Sequence, residues 1–429
     1  MKTIFHIDFN SYFATVEQQA NPRLRGKPIG VTGGDRMERT VLGAASVEAK
    51  RYGVKTGMRI PEALKLCPNL ILVRGDSDKY LATTQKFLNI LKDYSPFLEV
   101  FSIDECFLEL PIRTRDPVKE PLKNLLDIAQ RIKERIKNEI GEWITCSIGI
   151  SYNKLIAKLA GSLYKPDGLV VIEDEQAAMM ILDQIELDEV CGIGGRIKKR
   201  LNNMGIFDFK QLRRVPLDLL LTSFKSYGQV LYDMASGIDH SQITPFYERA
   251  EVKSVGHRYT IDTDSDEPVE IKQVLLKICE LIGRRLRAKK LVGKTVVCYY
   301  RAAFQFSTPD VSSYSTPGVG IFQGGGMQVT IPYTNDGLEI FKAAWKIFLS
   351  IWDQKPIRMI GATLSNLKGE KPQNLSLLED ELRREKIIKA LDRINNKYGE
   401  FTLQRAALLG SQKVYRKPNP YLSDRRFKL

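Results

Sequence analysis

The chain has 429 residues, which at the usual ~100–200 residues per domain leaves room for about three or four domains. Lys and Arg number 65 against 51 Asp and Glu, a formal net charge of +14, and 43% of the residues are hydrophobic. This composition excludes a largely disordered chain, a collagen-like fibre and a disulfide-stapled mini-protein. The basic excess favours a polyanionic partner, most often a nucleic acid.

The sequence also bears on the cellular compartment. It contains no apolar run approaching the ~18–20 residues of a membrane span, and the N-terminus reaches Asp8 before a signal-peptide core could form. The six cysteines are scattered without a CxxC pair, and the chain has only three histidines. We therefore expect neither a disulfide framework nor a structural zinc site, no membrane association, and a cytoplasmic location.

The first part of the chain alternates between strand and helix patterns. The patterns predict a strand at 3–9, one helical pattern over 38–57, a helix at 76–94, a strand pair or bent strand at 97–110, a helix at 119–140, a strand at 145–150 and a helix at 153–163. The turn Lys165-Pro166-Asp167-Gly168 closes this region. The order is that of an α/β or split βαβ core.

The second part contains a helical region and then another αβ region. We expect short helices over 175–235, a polar tether at 236–250, a helix at 267–290, strands at 294–300 and 328–332, and a helix at 338–352. Residues 301–327, rich in glycine, are predicted to form a flexible loop. A polar tail from Lys368 contains one helical stretch at 379–398.

Three carboxylates interrupt apolar strand patterns. Asp8 ends the run Ile4–Ile7, where an unpaired buried carboxylate would cost several kcal/mol. Asp104 and Glu105 are adjacent, and neighbouring side chains of a regular strand point to opposite faces, so a shared site requires a bend. Carboxylate oxygens are the ligands that Mg²⁺ prefers. From these residues alone, solvated charges at a strand end or a hairpin remain an alternative.

Seven short motifs follow one another along the chain. Two contain the carboxylates: Asp8-Phe9-Asn10-Ser11-Tyr12-Phe13 and Ser102-Ile103-Asp104-Glu105. The others are Gly26-Lys27-Pro28, Glu48-Ala49-Lys50, Ser147-Ile148-Gly149-Ile150-Ser151, Lys165-Pro166-Asp167-Gly168 and Val190-Cys191-Gly192-Ile193-Gly194. Together they resemble, in the same order, the motifs of the Y family of translesion DNA polymerases, and within it the DNA polymerase IV group; the two carboxylate motifs are similar to that family's metal-binding motifs.

The resemblance implies a multidomain α+β right-hand polymerase. It divides the chain into an αβ palm (1–10 and 78–166), small fingers (11–77), a helical thumb with a helix-hairpin-helix (167–235), a linker (236–250), an αβ little finger (251–367) and a tail (368–429). The implied activity is low-fidelity, low-processivity translesion synthesis from deoxynucleoside triphosphates (dNTPs) on a primer–template, by a monomer.

The resemblance also assigns catalytic residues. Asp8, Asp104 and Glu105, with the carbonyl of Phe9, would bind two Mg²⁺ ions. Such a pair, about 4 Å apart, assists both the attacking hydroxyl and the leaving pyrophosphate.

Four further residues would contact the incoming dNTP. Phe13 would be the steric gate against a ribose 2′-hydroxyl, while Tyr12 beside it is equally compatible with core packing. Lys165 would reach the triphosphate as a point charge. The sequence departs from the family at Val47, where a Tyr is usual, and at Lys50, where an Arg is usual. Lysine makes a single phosphate contact where arginine makes a bidentate one, so triphosphate binding is expected to be weaker. Substitution by the neighbouring Arg51 is the alternative.

DNA contacts are expected from two basic regions. Gly192-Ile193-Gly194 is typical of a hairpin turn that allows close approach of a phosphate, and basic residues follow it: Arg196, Lys198 and Lys199. The second group ends the helix predicted at 267–290 and consists of Arg284, Arg285 and Arg287. Contacts of this kind are independent of base sequence and sensitive to salt. A solvated helical face is the alternative.

The tail contains Gln373-Asn374-Leu375-Ser376-Leu377-Leu378, which resembles the short peptide that bacterial polymerases insert into the sliding clamp. Gln373, Leu375, Leu377 and Leu378 would make the contacts, with Leu378 in place of the usual Phe. Capping of the following helix is the alternative.

Two other functions are alternatives to the polymerase. A catalytically silent scaffold that recruits the clamp fits the departures at Val47 and Lys50, but such a relative should have lost metal carboxylates. A helix-hairpin-helix glycosylase would need its catalytic Lys or Asp beside the hairpin.

Overall fold

The computed structural model describes residues 3–33, 40–110, 121–248, 251–303, 324–370, 379–399 and 401–409. These residues form two compact units that meet in sequence near residue 250. No helix among them is long and apolar enough to cross a membrane.

The first unit is built on a five-stranded sheet in the order β5-β6-β1-β7-β8. Its strands are β1 Thr3–Phe9, β5 Leu98–Val100, β6 Glu105–Leu110, β7 Cys146–Ser151 and β8 Leu169–Val171. The central strand β1 pairs antiparallel with β6 and β7, so both of its edges are hydrogen-bonded. Buried apolar residues such as Phe5 and Ile7 explain why it is central.

Helices flank this sheet: α4 Ser77–Lys92, α5 Pro121–Glu139 and α6 Lys154–Leu163. Helix α6 approaches β7 closely, because a Cβ on Gly149 would lie 2.1 Å from the carbonyl oxygen of Ala157 and from the amide nitrogen of Gly161. The strands and helices predicted for 76–163 are therefore found, with Phe97–Leu110 forming the predicted strand pair.

A smaller sheet, β3-β2-β4, is formed by Leu42–Ala45, Ile29–Thr32 and Ile71–Arg74, with helices α1 Tyr12–Ala20, α2 Val47–Arg51 and α3 Ile60–Leu66 around it. The prediction of one helical pattern over 38–57 was wrong. Leu42–Ala45 pairs with β2, so the chain enters as a strand, and helix α2 begins only at Val47, where the Ser46 hydroxyl accepts from the Ala49 N–H.

Residues 175–235 form short helices, as expected: α7 Glu175–Leu182, α8 Gly195–Asn203, α9 Phe209–Arg214, α10 Leu217–Phe224 and α11 Tyr227–Ala235. A 3₁₀ helix, Leu187–Glu189, precedes the turn before α8. The helix-hairpin-helix itself stays a prediction.

The second unit has an antiparallel sheet in the order β11-β10-β12-β9, packed against α12 Pro268–Ala288 and α13 Gly337–Ile351. The strands are β9 Ser254–Ser265, β10 Leu291–Ala302, β11 Gly324–Thr334 and β12 Ile357–Ser365. Gly324–Gly326 were predicted within a loop, but they belong to β11 and pair with Tyr299–Arg301. Residues 304–323 of that predicted loop lie outside the described residues.

The C-terminal segments of this unit contact β10 and α12. The short strand β13 Lys368–Gly369 pairs with the start of β10, and helix α14 Glu379–Tyr398 follows. Arg287 of α12 bonds Asp392 of α14 through two nitrogens, at 2.6 and 2.9 Å. Leu408 is then buried in the core of this unit, and Arg405 bonds Glu280 at 2.5 Å.

Candidate active site

The three carboxylates lie at one end of the neighbouring strands β1 and β6 of the five-stranded sheet. Asp8, near the end of β1, is directly opposite Glu105, the first residue of β6. The turn that joins β5 to β6 is closed by the N–H groups of Phe101 and Ser102, which both donate to the carbonyl of Glu105. Asp104 belongs to this turn, and its carbonyl accepts from the Phe9 N–H at 3.0 Å. The bend that a shared site requires is therefore present.

Glu105 is held by two side chains. His6 Nε2 lies 3.0 Å from Oε2 of Glu105, and the ammonium of Lys158 contacts the same oxygen. Burial by itself would raise the pKa of Glu105, but the hydrogen bond from His6 and the charge of Lys158 outweigh it and lower the pKa to about 2. Glu105 is therefore ionised at neutral pH.

The pKa of Asp104 is shifted in the opposite direction, upwards. Burial raises its pKa, and the negative charges of Asp8 and Glu105 add to that effect, while a hydrogen bond from the Ser102 hydroxyl opposes it. A cation bound next to Asp104 would stabilise the ionised form of its carboxylate. The site thus has the electrostatic character of a cation-binding site.

Asp8 is bonded to Lys165, whose ammonium lies 2.6 Å from Oδ1. Like charges directly opposite each other on neighbouring strands destabilise a sheet, and the two lysines that contact Asp8 and Glu105 offset that repulsion. Ligand atoms of His6, Asp8 and Glu105 lie within 4.8 Å of one another, close enough to hold a metal ion. Because His6 already bonds Glu105, we assign it to orienting that carboxylate.

Lys165 is placed by the turn after α6. Lys133 of α5 bonds both the carbonyl and the carboxylate of Asp167, at 2.5 and 2.9 Å. The Gly168 N–H donates to Ser147 Oγ at 3.2 Å, and Ser147 donates to Asn10 Oδ1 at 2.9 Å. The predicted turn is therefore attached to β7 and to the chain that follows β1.

The aromatic pair after Asp8 splits into two environments. Tyr12 is buried, and its hydroxyl donates to the carbonyl of Tyr80 at 2.8 Å and lies 2.7 Å from the Thr84 hydroxyl. Phe13 is half-buried and stacks on the ring of Tyr80. The structure thus gives Tyr12 a packing role, and its contact with a nucleotide stays a prediction.

Helix α2 brings Lys50 near the carboxylates. Partial loss of hydration lowers the pKa of Lys50, the charge of Lys165 lowers it further, and Asp8 and Asp104 act in the opposite sense. Val47, in the first turn of the same helix, is half-buried. Lys50 and Lys165 are therefore two cations beside one carboxylate cluster.

The turn before α8 is exposed and glycine-dependent. Gly192 has φ = 112°, and a Cβ there would lie 2.8 Å from the Tyr227 hydroxyl, which donates to the Gly192 carbonyl. Arg196 and Lys199 of α8 are exposed. Lys198 instead bonds Asp188 at 2.7 Å and Glu186 at 3.0 Å, and these hydrogen bonds raise its pKa.

The three arginines of α12 have protein partners. Arg284 bonds the Asn396 side chain at 2.7 Å, Arg287 bonds Asp392, and Arg285 Nη1 lies 3.4 Å from the carbonyl of Gly256. Their role in DNA binding stays a prediction that their present contacts do not favour. The peptide Gln373–Leu378 lies outside the described residues.

Sequence reasoning missed His6 and Lys158. His6 precedes Asp8 by two positions on one strand and so shares its face, a signal that the pattern does contain. Lys158 lies seven positions before Lys165, on the helix that packs over β7. Nothing local connects it to Glu105, 53 positions earlier in the chain.

The chain is similar to known proteins over most of its length. The model of the impB/mucB/samB family matches residues 7–162, and the model of that family's C-terminal domain matches residues 252–377. DNA polymerase IV of Pelotomaculum thermopropionicum is 34% identical, over 95% of this chain and 96% of the relative. DNA polymerase IV of Moorella thermoacetica is also 34% identical, over 96% of this chain and 98% of the relative.

The fold is similar to that of a solved structure. A Y-family DNA polymerase chimera superposes with a TM-score of 0.68 and 24% identity, over 85% of this chain and 99% of the chimera. The chain has the fold of a Y-family DNA polymerase, and it belongs to the impB/mucB/samB family. It is a DNA-directed DNA polymerase of the translesion class, similar throughout to DNA polymerases IV.

Proposed function

We propose that this protein adds dNTPs to a primer 3′-hydroxyl, with release of pyrophosphate, at the edge formed by Asp8, Asp104 and Glu105. The observation that carries the proposal is the convergence of these carboxylates, from segments about a hundred positions apart, beside two lysines that can face a triphosphate.

Two Mg²⁺ ions would bind among these three carboxylates. Asp8 and Glu105, with the Phe9 carbonyl and Asp104, offer oxygen ligands. Burial, and after it the negative charges of Asp8 and Glu105, raise the pKa of Asp104, so a bound cation would favour its ionised form. When bound, the ions would assist deprotonation of the primer hydroxyl and neutralise the leaving pyrophosphate. His6 would orient Glu105 through its hydrogen bond.

The dNTP would lie beside α1 and α2. We assign Phe13 to the sugar as the steric gate, and Lys165 and Lys50 to the triphosphate. An ammonium binds phosphate as a point charge, and both lysines already interact electrostatically with the carboxylates around which a metal-bound triphosphate would sit. Tyr12 would support this pocket from the core.

Duplex contacts would come from two surfaces. In the first unit these are the Gly192–Gly194 turn with Arg196 and Lys199, exposed and able to meet a phosphate backbone. In the second unit, the sheet face opposite α12 and α13 carries exposed polar side chains in the described residues: Ser254, Arg258, Thr260, Gln328 and Thr330. That face suits a duplex better than Arg284 and Arg287, which contact α14.

We further propose that the enzyme is a cytoplasmic monomer of low processivity that binds the sliding clamp through Gln373, Leu375, Leu377 and Leu378. The clamp is expected to supply the residence time on DNA that small contact surfaces do not. Low fidelity would follow from the small fingers, residues 11–77, which leave little protein to check the shape of the base pair.

Primer extension tests the proposal directly. The parent protein, Asp8→Ala and Asp104→Asn are compared on one primer–template with Mg²⁺ and the four dNTPs, together with Glu139→Gln, which removes a carboxylate from the exposed side of α5. We expect extension by the parent and by Glu139→Gln and none by the two site variants, while all four bind DNA within a few-fold. If the parent binds DNA but extends nothing, the silent scaffold is the better description.

A further inference from the structure

The ring of Phe13 rests on a second aromatic ring. Phe13 and Tyr80 are stacked with their centroids 4.4 Å apart and their planes at 18°. Phe13 is half-buried, whereas Tyr80 is only 3% exposed. The partly open ring is therefore backed by a buried one.

Tyr80 is itself fixed at both ends. Its hydroxyl donates to Oε1 of the buried Glu17 at 2.7 Å, and Lys79 bonds the other oxygen of Glu17 at 2.7 Å. Burial and then the bond to Glu17 raise the pKa of the Tyr80 phenol well above its usual value, so it remains a donor. At its main chain, the Tyr80 carbonyl accepts from the Tyr12 hydroxyl.

A steric gate must be stiff to be selective. A hydrophobic pocket discriminates by only about 10²-fold against a substrate that carries one additional hydroxyl group, because the side chains that line the pocket can move slightly to accommodate it. A phenylalanine in the first turn of a helix has two side-chain torsions and would yield unless a neighbour blocks it. Tyr80 is the neighbour in stacking contact with that ring.

We propose that Tyr80 is a positioning residue that determines sugar specificity: its ring, anchored by Glu17, holds Phe13 in place and so sets the discrimination between dNTPs and ribonucleoside triphosphates (rNTPs). This inference rests on the proposed role of Phe13. It assigns Tyr80 no contact with substrate.

The test measures kcat/KM for a dNTP and for the matching rNTP opposite the same template base. Tyr80→Ala is expected to lower the ratio of the two by about 10-fold or more, mainly through faster rNTP use. Tyr80→Phe keeps the ring and should stay within about 3-fold of the parent ratio. General damage to the enzyme would lower both values together and leave their ratio unchanged.

A double-variant cycle identifies the route of the effect. Phe13→Ala should admit rNTPs, and adding Tyr80→Ala to it should change the ratio no further, because the ring that Tyr80 supports is gone. If Phe13→Ala leaves the ratio unchanged, the gate assignment fails and the inference falls with it. If Phe13→Ala changes the ratio but Tyr80→Ala does not, the inference alone is overturned.

Two more variants guard against a folding artefact. Tyr80→Leu keeps most of the volume but offers no flat face, and it replaces Tyr80→Ala if that protein does not fold. Phe87→Leu removes a buried ring from the same helix, where it packs on Phe9 and Tyr12. It should alter both kcat/KM values alike, and a changed ratio there would show that any loosening of α4 affects the gate, which overturns a specific role for Tyr80.

Discussion

The ammonium of Lys165 lies 2.6 Å from Oδ1 of Asp8, although 157 positions separate the two residues. In the proposed reaction, the same lysine contacts a triphosphate and the same carboxylate holds a metal ion. Both therefore exchange partners when nucleotide and metal bind. Lys165 is 39% exposed and Asp8 17%, so this exchange needs no opening of the core.

Lys165→Met separates these two roles. We expect KM for the dNTP to rise by about 10-fold, because a charge-assisted phosphate contact is lost. Metal binding to the nucleotide-free enzyme should instead tighten, because Asp8 loses a competing cation; a Mn²⁺ titration followed by electron paramagnetic resonance measures it. Lys154→Met, which removes a lysine of α6 that pairs with Glu99 of β5, is the control and should change neither value. Weaker Mn²⁺ binding in Lys165→Met would contradict the competition.

The carboxylate cluster could be predicted because its motifs are contiguous in sequence. Asp8 with Phe9, and Asp104 with Glu105, are each recognisable from a few neighbouring residues. The partners that hold Glu105 could not be found in this way, because His6 and Lys158 meet it across 99 and 53 positions. Only the folded sheet, with α6 on β7, brings them together.

The errors in the predicted elements have the same origin. Leu42–Ala45 carries no alternation that would distinguish a strand from the start of α2, and it is a strand because β2 offers it a partner. Gly324–Gly326 has low intrinsic strand preference, yet β10 pairs with it. In both cases, hydrogen bonding to a neighbouring strand outweighed the structural preference of the local sequence.

His6→Gln is expected to slow nucleotide addition through Glu105. The hydrogen bond from Nε2 orients this carboxylate, and loss of such support usually costs about 10–100-fold in metal affinity or activity. The Mg²⁺ concentration for half-maximal extension should therefore rise. His240→Gln removes an exposed histidine and serves as the control. An unchanged Mg²⁺ dependence would show that Lys158 alone is sufficient to orient Glu105, and would contradict the role assigned to His6.

Lys50→Arg should strengthen triphosphate binding. A guanidinium can contact a phosphate through two parallel N–H bonds where an ammonium makes a point contact, so KM for the dNTP should fall by roughly 3–10-fold. Steady-state extension of a single nucleotide measures the effect. Arg51→Lys tests whether the neighbouring arginine already provides that contact, in which case this variant, and not Lys50→Arg, changes KM.

Arg287→Ala should affect stability more than DNA binding. It leaves Asp392 half-buried without its bidentate partner, which we expect to cost about 1–2 kcal/mol of unfolding free energy. Urea unfolding gives that value, and Asp392→Asn should cost a similar amount. The salt dependence of DNA affinity should stay unchanged in Arg287→Ala and become shallower in Arg196→Ala. A shallower slope for Arg287→Ala would restore its predicted role as a phosphate contact.

The clamp peptide is best tested by substitution. The segments on both sides of it are attached to the second unit: the Glu370 N–H donates to the carbonyl of Lys290, and α14 bonds α12 through Asp392. A deletion of Gln373–Leu378 would pull on both attachments and confuse loss of clamp binding with damage to the fold. Gln373→Ala combined with Leu377→Ala and Leu378→Ala keeps the chain length.

We expect this triple variant to retain distributive synthesis and to lose stimulation by the clamp, because the apolar groups that would enter the clamp are gone. Primer extension with and without the clamp loaded on a primed circular template measures both properties. Asn374→Ala with Ser376→Ala, which alters the alternate positions of the same peptide, is the matched control and should keep the stimulation. If the triple variant is still stimulated, the clamp binds another segment, and the basic sequence from Lys413 to Leu429 is the next to truncate.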